Sequence, residues 1–118
     1  ITLAVKPSTW ALLYSAATGR KIDGKELLRA AERVINLERA FNAREGFTRK
    51  DDTLPERLLK EPATEGVGKG QVVNLDVILD EYYAAMGWNV KTGLPTKEKL
   101  VELGLSDVAE QLEKLGVI

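Results

Sequence analysis

The sequence predicts an all-α fold: a small, irregular helical bundle of about five helices with one long loop, ordered or mobile. Apolar residues recur at helical spacing over residues 24–43. Capping and stop residues bracket that stretch and the shorter ones like it. No stretch alternates apolar and polar residues as a half-buried strand would, and Gln71-Val72-Val73 reads as the lead-in to a helix.

Ser8 or Thr9 is placed to cap a first helix carrying Trp10, Leu13, Ala17 and Leu12, Ala16 at helical spacing, and Gly19 is placed to end it. Asp23 with Glu26 forms the Asp-x-x-Glu pattern of a capping box and opens the longest helix, from residue 24 to about 43. Its stripe is Leu27, Ala30, Val34, Leu37 and Phe41, widened by Leu28, Ala31 and Ile35. Lys25, Arg29, Glu32, Asn36 and Arg39 fall opposite, so the apolar stripe is expected to face the core and the polar one water. Trp10, Tyr14 and Phe41 are core candidates on the same ground.

Periodicity fails from Thr48 to Gly70, where Pro55, Pro62 and the glycines of Gly66-Val67-Gly68-Lys69-Gly70 predict a long connection with one helical turn near Pro55–Leu59. Asn74 then starts a helix with Leu75, Ile78, Leu79, Tyr82 and Met86 on one side, closed by Gly87. Pro95-Thr96 opens a short helix through Leu100 and Leu103, and Ser106 caps a last one carrying Ala109, Leu112 and Leu115.

A length of 118 residues suits a single helical domain, residues 1–118. With 44% hydrophobic and 30% charged residues the composition is that of a soluble protein, and a net charge of −1 gives no electrostatic reason to expect nucleic acid. No run approaches the roughly 20 apolar residues that span a bilayer. Lys6 and Pro7 interrupt any leader pattern in Ile1–Trp10, so a cytoplasmic location is expected. The chain opens on Ile1 rather than Met, which suggests a processed product or an excerpt.

There is no Cys and no His, which removes thiolate and imidazole metal sites, disulfides, cysteine nucleophiles and His-based triads from this stretch. The glycine run lacks the spacing and the Ser or Thr of a phosphate loop and reads as a connector. Segment 44–52 is the densest in charge. Its adjacent Asp51 and Asp52 could bind a hard cation or do acid–base work, but beside Arg49 and Lys50 they read better as a salt-bridged turn. Tyr82, Tyr83 and Trp88 read as packing rather than as a stacking platform.

The run from Glu32 to Arg57, ERVINLERAFNAREGFTRKDDTLPER, closely resembles the C-terminal region of tungsten-containing aldehyde:ferredoxin oxidoreductases. Ala16-Ala17-Thr18-Gly19, Lys69-Gly70, Leu79-Asp80-Glu81-Tyr82-Tyr83 with Gly87-Trp88, and Pro95-Thr96 with Lys99-Leu100 and Leu103-Gly104 resemble the same family in the same order.

The resemblance implies a longer enzyme that oxidises an aldehyde to a carboxylate and passes electrons through a tungsten bis-pterin and a 4Fe–4S cluster to ferredoxin. It also implies that this stretch is the end of the third domain, a scaffold with no catalytic, cofactor-binding or metal-binding residue of its own. Its partners would be the remaining domains and, through them, ferredoxin. The family's cluster needs four Cys, none of which is present here. Arg44, Glu45, Arg49, Asp51, Asp52 and Arg57 are then candidates for interdomain contacts or for lining an access channel. A chain without its natural neighbours would expose part of its apolar stripe and self-associate or be marginally stable. The competing expectation is a stand-alone helical interaction module.

Overall fold

A computed structural model describes residues 5–118, which form six α-helices and one short 3₁₀ turn, with no strand among them. Ile1–Ala4, the start of the stretch judged for a leader pattern, lie outside the described residues. None of the helices is long and apolar enough to cross a membrane.

Helix α1 (Pro7–Thr18) begins earlier than a Ser8 or Thr9 cap would allow. Lys6 holds the cap position, and Pro7, whose ring pre-sets a helical φ, takes the first turn. Helix α2 (Gly24–Arg44) starts at the capping box the sequence announces: the Asp23 side chain accepts from the Glu26 amide (2.8 Å) and Glu26 accepts from the Asp23 amide (2.9 Å). After the 3₁₀ turn Arg49–Asp51 comes the single helical turn α3 (Glu56–Lys60). Helix α4 (Leu75–Met86) ends on Gly87 at φ 70°, in the left-handed region.

Thr96 caps α5 (Lys97–Glu102) by accepting from the Lys99 amide (3.2 Å). Helix α6 (Ser106–Lys114) has Leu105, not Ser106, at its cap position, and Ser106 is its first helical residue. The glycine stretch is held by its own backbone: the Gly70 amide donates to the Ala63 carbonyl (2.8 Å) and the Ala63 amide to the Gln71 carbonyl (2.9 Å). Residues 71–73 lead into α4, as expected.

The core sits at one end, where α5 and α6 pack on the C-terminal half of α2. Ala40, Leu100, Leu103, Leu105, Ala109 and Leu112 are buried together, with Val108, Val117 and Ile118 against them. At the other end α1 lies across the start of α2. The two backbones meet closely there, since a Cβ on Gly24 would stand 3.0 Å from the Ser8 nitrogen.

Helix α2 reverses the expected orientation. Its buried residues are Asn36, Arg39, Ala40 and Ala43, which recur at helical spacing on one side. Leu28, Val34, Ile35, Leu37 and Phe41 of the apolar stripe are exposed, Phe41 by 55%. Trp10 and Tyr14, expected in the core, are exposed as well. The reversal is tolerated because the inward polar groups are matched. Arg29 Nη2 donates to the Glu102 carbonyl (2.5 Å) and Arg33 Nε to the Leu103 carbonyl (2.7 Å), so two arginines satisfy free carbonyls at the end of α5. Lys99 Nζ meets Glu32 at 2.5 Å. Among the described residues no buried side-chain nitrogen or oxygen lacks a partner.

The chain forms a thin slab of 50 × 43 × 19 Å with a radius of gyration of 17.9 Å. A compact chain of this length would have a radius of about 13.5 Å. The accessible surface is 8743 Å² for 13.0 kDa, against about 6,300 Å² for a self-contained globule of that mass.

Leu100, fully buried, and Val34, largely exposed, give a direct contrast. In urea unfolding, Leu100→Ala is expected to lower stability by about 2–5 kcal/mol. Val34→Ala should change it by less than about 0.5 kcal/mol. Equal effects would place α2 with its apolar side inward.

Candidate functional site

The polar centre of the chain is assembled from four segments that share a face of α2. Arg39 projects from the inner side of α2 between Asn36 and Ala40, where the small Ala40 and Ala43 let other segments approach. Its two terminal nitrogens bind both oxygens of Asp52, at 2.8 and 2.5 Å, in the parallel geometry that suits guanidinium and carboxylate. Its Nε donates to the Gly93 carbonyl at 2.7 Å. The guanidinium lies 5.1 Å from the Trp88 ring centre, and Trp88 Nε1 donates to the Asn36 side chain at 2.8 Å. The Tyr83 hydroxyl donates to Asp52 as well.

Gly93 is required at its place. It sits at φ 70°, and a Cβ there would fall 2.6 Å from Arg39 Nη2 and 2.9 Å from the Tyr83 oxygen. The turn that carries it is shaped by Asn89, whose side chain accepts from the Lys91 amide (2.9 Å) and the Thr92 amide (3.1 Å).

Arg49 is a second fastening for the same loop. It donates to Asp80 (2.5 Å) and Asp76 (3.1 Å), four residues apart on α4, and to the Val90 carbonyl (2.9 Å), while its amide donates to the Thr92 carbonyl (2.7 Å). The hydrogen bonds to Asp76 and then Asp80 raise its pKa above the ordinary arginine value.

The six residues singled out from the sequence therefore do not form one site. Arg49 and Asp52 belong to the two fastenings. Asp51 turns back to accept from the Thr48 amide (2.8 Å), so the adjacent carboxylates serve different partners and do not converge on a cation. Arg44 pairs with Glu45 at 3.1 Å on the surface and lies 4.9 Å from the centre of the Phe41 ring. Arg57 pairs with Glu61 at the edge of a separate open groove of about 770 Å³ that runs on to Gln71 and Val73. A shallower groove of about 560 Å³ opens over Asp52, bordered by Lys50, Lys91 and Asp76.

Arg39 and Asn36 were expected in water. The sequence signal for their true place is the company they keep, since Asn36, Arg39, Ala40 and Ala43 share one face whose small residues permit close approach. Tyr83 and Trp88 pack as expected, with ring centres 5.8 Å apart, and Tyr82 stays half exposed.

Titration follows from this geometry. Burial pushes the Asp52 carboxyl upward, but hydrogen bonds from Arg39 and then Tyr83 outweigh it and hold it below the usual carboxylate range. Burial, and then the Asp52 carboxylate, push Tyr83 up to about 12. Among the described residues no three acidic side chains gather where they could hold a metal ion, and with no Cys or His the donor set does not fit a cluster held by thiolates.

Fold and site together define a class: an all-α helical segment organised on a buried, hydrogen-bonded ion pair. The chain belongs to the aldehyde ferredoxin oxidoreductase family, since the family described as "Aldehyde ferredoxin oxidoreductase, domains 2 & 3" matches residues 1–105. It is 44% identical over 96 residues to the tungsten-containing aldehyde ferredoxin oxidoreductase of Pyrococcus abyssi, and 43% identical over 96 residues to that of Pyrococcus furiosus. Each match covers 80% of this chain and 16% of the relative. Among solved structures, it superposes with a TM-score of 0.76 and 32% identity on the active site complex BamBC of benzoyl coenzyme A reductase in complex with 1,5-dienoyl-CoA. That match covers 95% of this chain and 16% of the other. The chain thus spans about one sixth of the proteins it resembles.

Two measurements probe the ion pair. Asp52→Ala leaves the Arg39 charge buried without its carboxylate and should cost about 3–5 kcal/mol in denaturant unfolding. Stability from Asp52, whose pKa is lower folded than unfolded, is present above the ordinary carboxyl value of 3.8 and lost as the pH falls below it. Stability from Tyr83, whose pKa is higher folded than unfolded, is present below pH 10.0 and lost as the pH rises toward 12. An unfolding series from pH 9 to 12 should therefore show an alkaline loss that Tyr83→Phe reduces, the rest coming from Lys97 and Lys99, which Glu113 and Glu32 hold above the ordinary lysine value; an undiminished loss would refute the assignment.

Proposed function

We propose that this chain is the C-terminal helical part of the third domain of an aldehyde ferredoxin oxidoreductase, residues 1–118 acting as one unit, and that it serves as scaffold without catalytic groups of its own. In that reading the whole enzyme oxidises an aldehyde to a carboxylate and passes electrons to ferredoxin in the cytoplasm. The 4Fe–4S cluster is held by the remaining domains, because this chain has no thiol to offer it, and the tungsten bis-pterin is assigned to the same domains. The observation that carries the reading is the family match across 105 residues, joined to 44% identity with a tungsten-containing relative.

The residues divide the work. Arg39, Asp52 and Tyr83 fix the segment after α2 to α4 and to the turn at Gly93. Arg49 and Asp51 hold its conformation. Arg44, Glu45 and Arg57, exposed and paired only with neighbours in sequence, are left to meet other domains or to border the substrate's approach.

A second reading follows from the structural match over 95% of the chain, in which the enzyme acts on an aromatic acyl-coenzyme A. The lower identity of 32%, against 44% for the aldehyde enzyme, ranks it second.

Metal and sulfide analysis of the full-length product, with viologen reduction under aldehydes, tests the first reading. Tungsten, acid-labile sulfide and aldehyde-dependent dye reduction are expected. Dye-linked turnover of an aromatic acyl-coenzyme A with none of aldehydes would select the second. In the full-length protein, Arg44→Glu should alter activity or stability; a variant identical to the parent in both would remove Arg44 from the contact set.

A further inference from the structure

The outward half of α2 is apolar along its length apart from Glu38 and Asn42. From Leu28 to Phe41 it extends about 20 Å at 1.5 Å per residue. Leu28, Val34, Ile35, Leu37 and Phe41 are exposed along it by 39–55%. Glu38 lies among them: its neighbours three and four residues away are Val34, Ile35, Phe41 and Asn42. None of the ion pairs among the described residues includes Glu38. Beyond the adjacent Arg39, the next cation toward the end of α2, Arg44, is already paired with Glu45 and stacked on Phe41. Arg29, Arg33 and Arg39 point to the opposite side, into α5 and the Gly93 turn.

We propose that this half of α2 is covered by the remainder of the longer polypeptide, through a surface of aliphatic and aromatic side chains that presents one Lys or Arg to Glu38. The proposal rests on the reading of the chain as part of an aldehyde ferredoxin oxidoreductase, and names the partner surface of that scaffold.

Three observations fix the occupant. The relatives are about six times as long as this chain, so on that reading ample covering polypeptide belongs to the same protein. The slab exposes about 2,400 Å² more than a self-contained globule of its mass, an area in the range of permanent rather than transient interfaces. The third is charge. A carboxylate closed off among apolar groups without a partner is strongly unfavourable, so the cover must bring a cation or strong donors. A second copy seated helix face on helix face brings neither, because the outward half from Leu27 to Asn42 has no Lys or Arg and would set carboxylate toward carboxylate.

The test compares the same substitutions in two settings, the full-length gene product and the 118-residue chain. Leu37→Asp and Glu38→Lys are expected to lower the Tm of the full-length protein by several degrees or to abolish its soluble yield. In the short chain Glu38→Lys should leave the Tm unchanged, since Glu38 has no ion-pair partner there, and Leu37→Asp should lower it by much less than in the full-length protein, since Leu37 is half exposed beside Val108 and Leu112. Glu38→Gln, the mildest change, should give a smaller fall in the full-length protein alone. Equal Tm values for the full-length parent and its variants would overturn the proposal. So would a short chain that dimerises and is made monomeric by Leu37→Asp while the full-length protein is indifferent, or a gene product no longer than this chain. Viologen reduction under aldehydes is read in parallel. A fall in Tm without any aldehyde turnover in the parent would defeat the functional reading and leave the interface standing.

Discussion

A buried arginine with one carboxylate and one carbonyl to satisfy governs the layout of this chain. Arg39 stands on the side of α2 that a reading of amphipathicity assigns to water, yet it is 8% exposed. A guanidinium there is stable only if its donors are met, and the Asp52 carboxylate and the Gly93 carbonyl meet them from opposite directions. That requirement brings the segment after α2 and the turn after α4 to the same place. Tyr83 and Trp88 then close over the pair, and Gly93 leaves the space it needs. The small aliphatic core of α5 and α6 lies beside this centre rather than around it.

What could be read from the sequence is what depends on neighbours in sequence. The start of α2 was legible because Asp23 and Glu26 satisfy each other's amides within one turn. The end of α4 was legible because Gly87 alone accepts the left-handed conformation there. The single turn of α3 and the all-α class followed from the same kind of signal. The cap of α1 was misplaced by two or three residues because Pro7, pre-set for the first helical position, moves the cap back to Lys6.

Partial exposure of the α2 stripe was expected for a chain without its natural neighbours, but that Asn36 and Arg39 would form the buried side was not legible, for a different reason. A hydrophobic stripe tells which side of a helix avoids water in the finished protein, not which side is covered by a given stretch of it. In this chain, which spans 16% of its relatives, Phe41 is exposed and Arg39 is buried. The candidate residues fared likewise: the density of charge at 44–57 was real, but sequence alone could not separate Arg49 and Asp52, which close on partners about 30 residues away, from Arg44 and Arg57, which do not.

The row formed by Arg29, Arg33 and Arg39 has a thermal consequence. These side chains join α2 to α5 and to the Gly93 turn through carbonyls and a carboxylate, where many small proteins would use interlocking aliphatics. The heat capacity released on unfolding rises with newly wetted apolar area and falls with newly wetted polar area, and typically amounts to about 12–15 cal/mol/K per residue. Arginine links beside the aliphatic core lower this chain's value relative to an all-aliphatic junction. Its free energy of unfolding therefore traces a shallower arc against temperature, changing less between cold and warm conditions, and the steep curvature belongs to whatever surface finally seals the greasy side of the long helix.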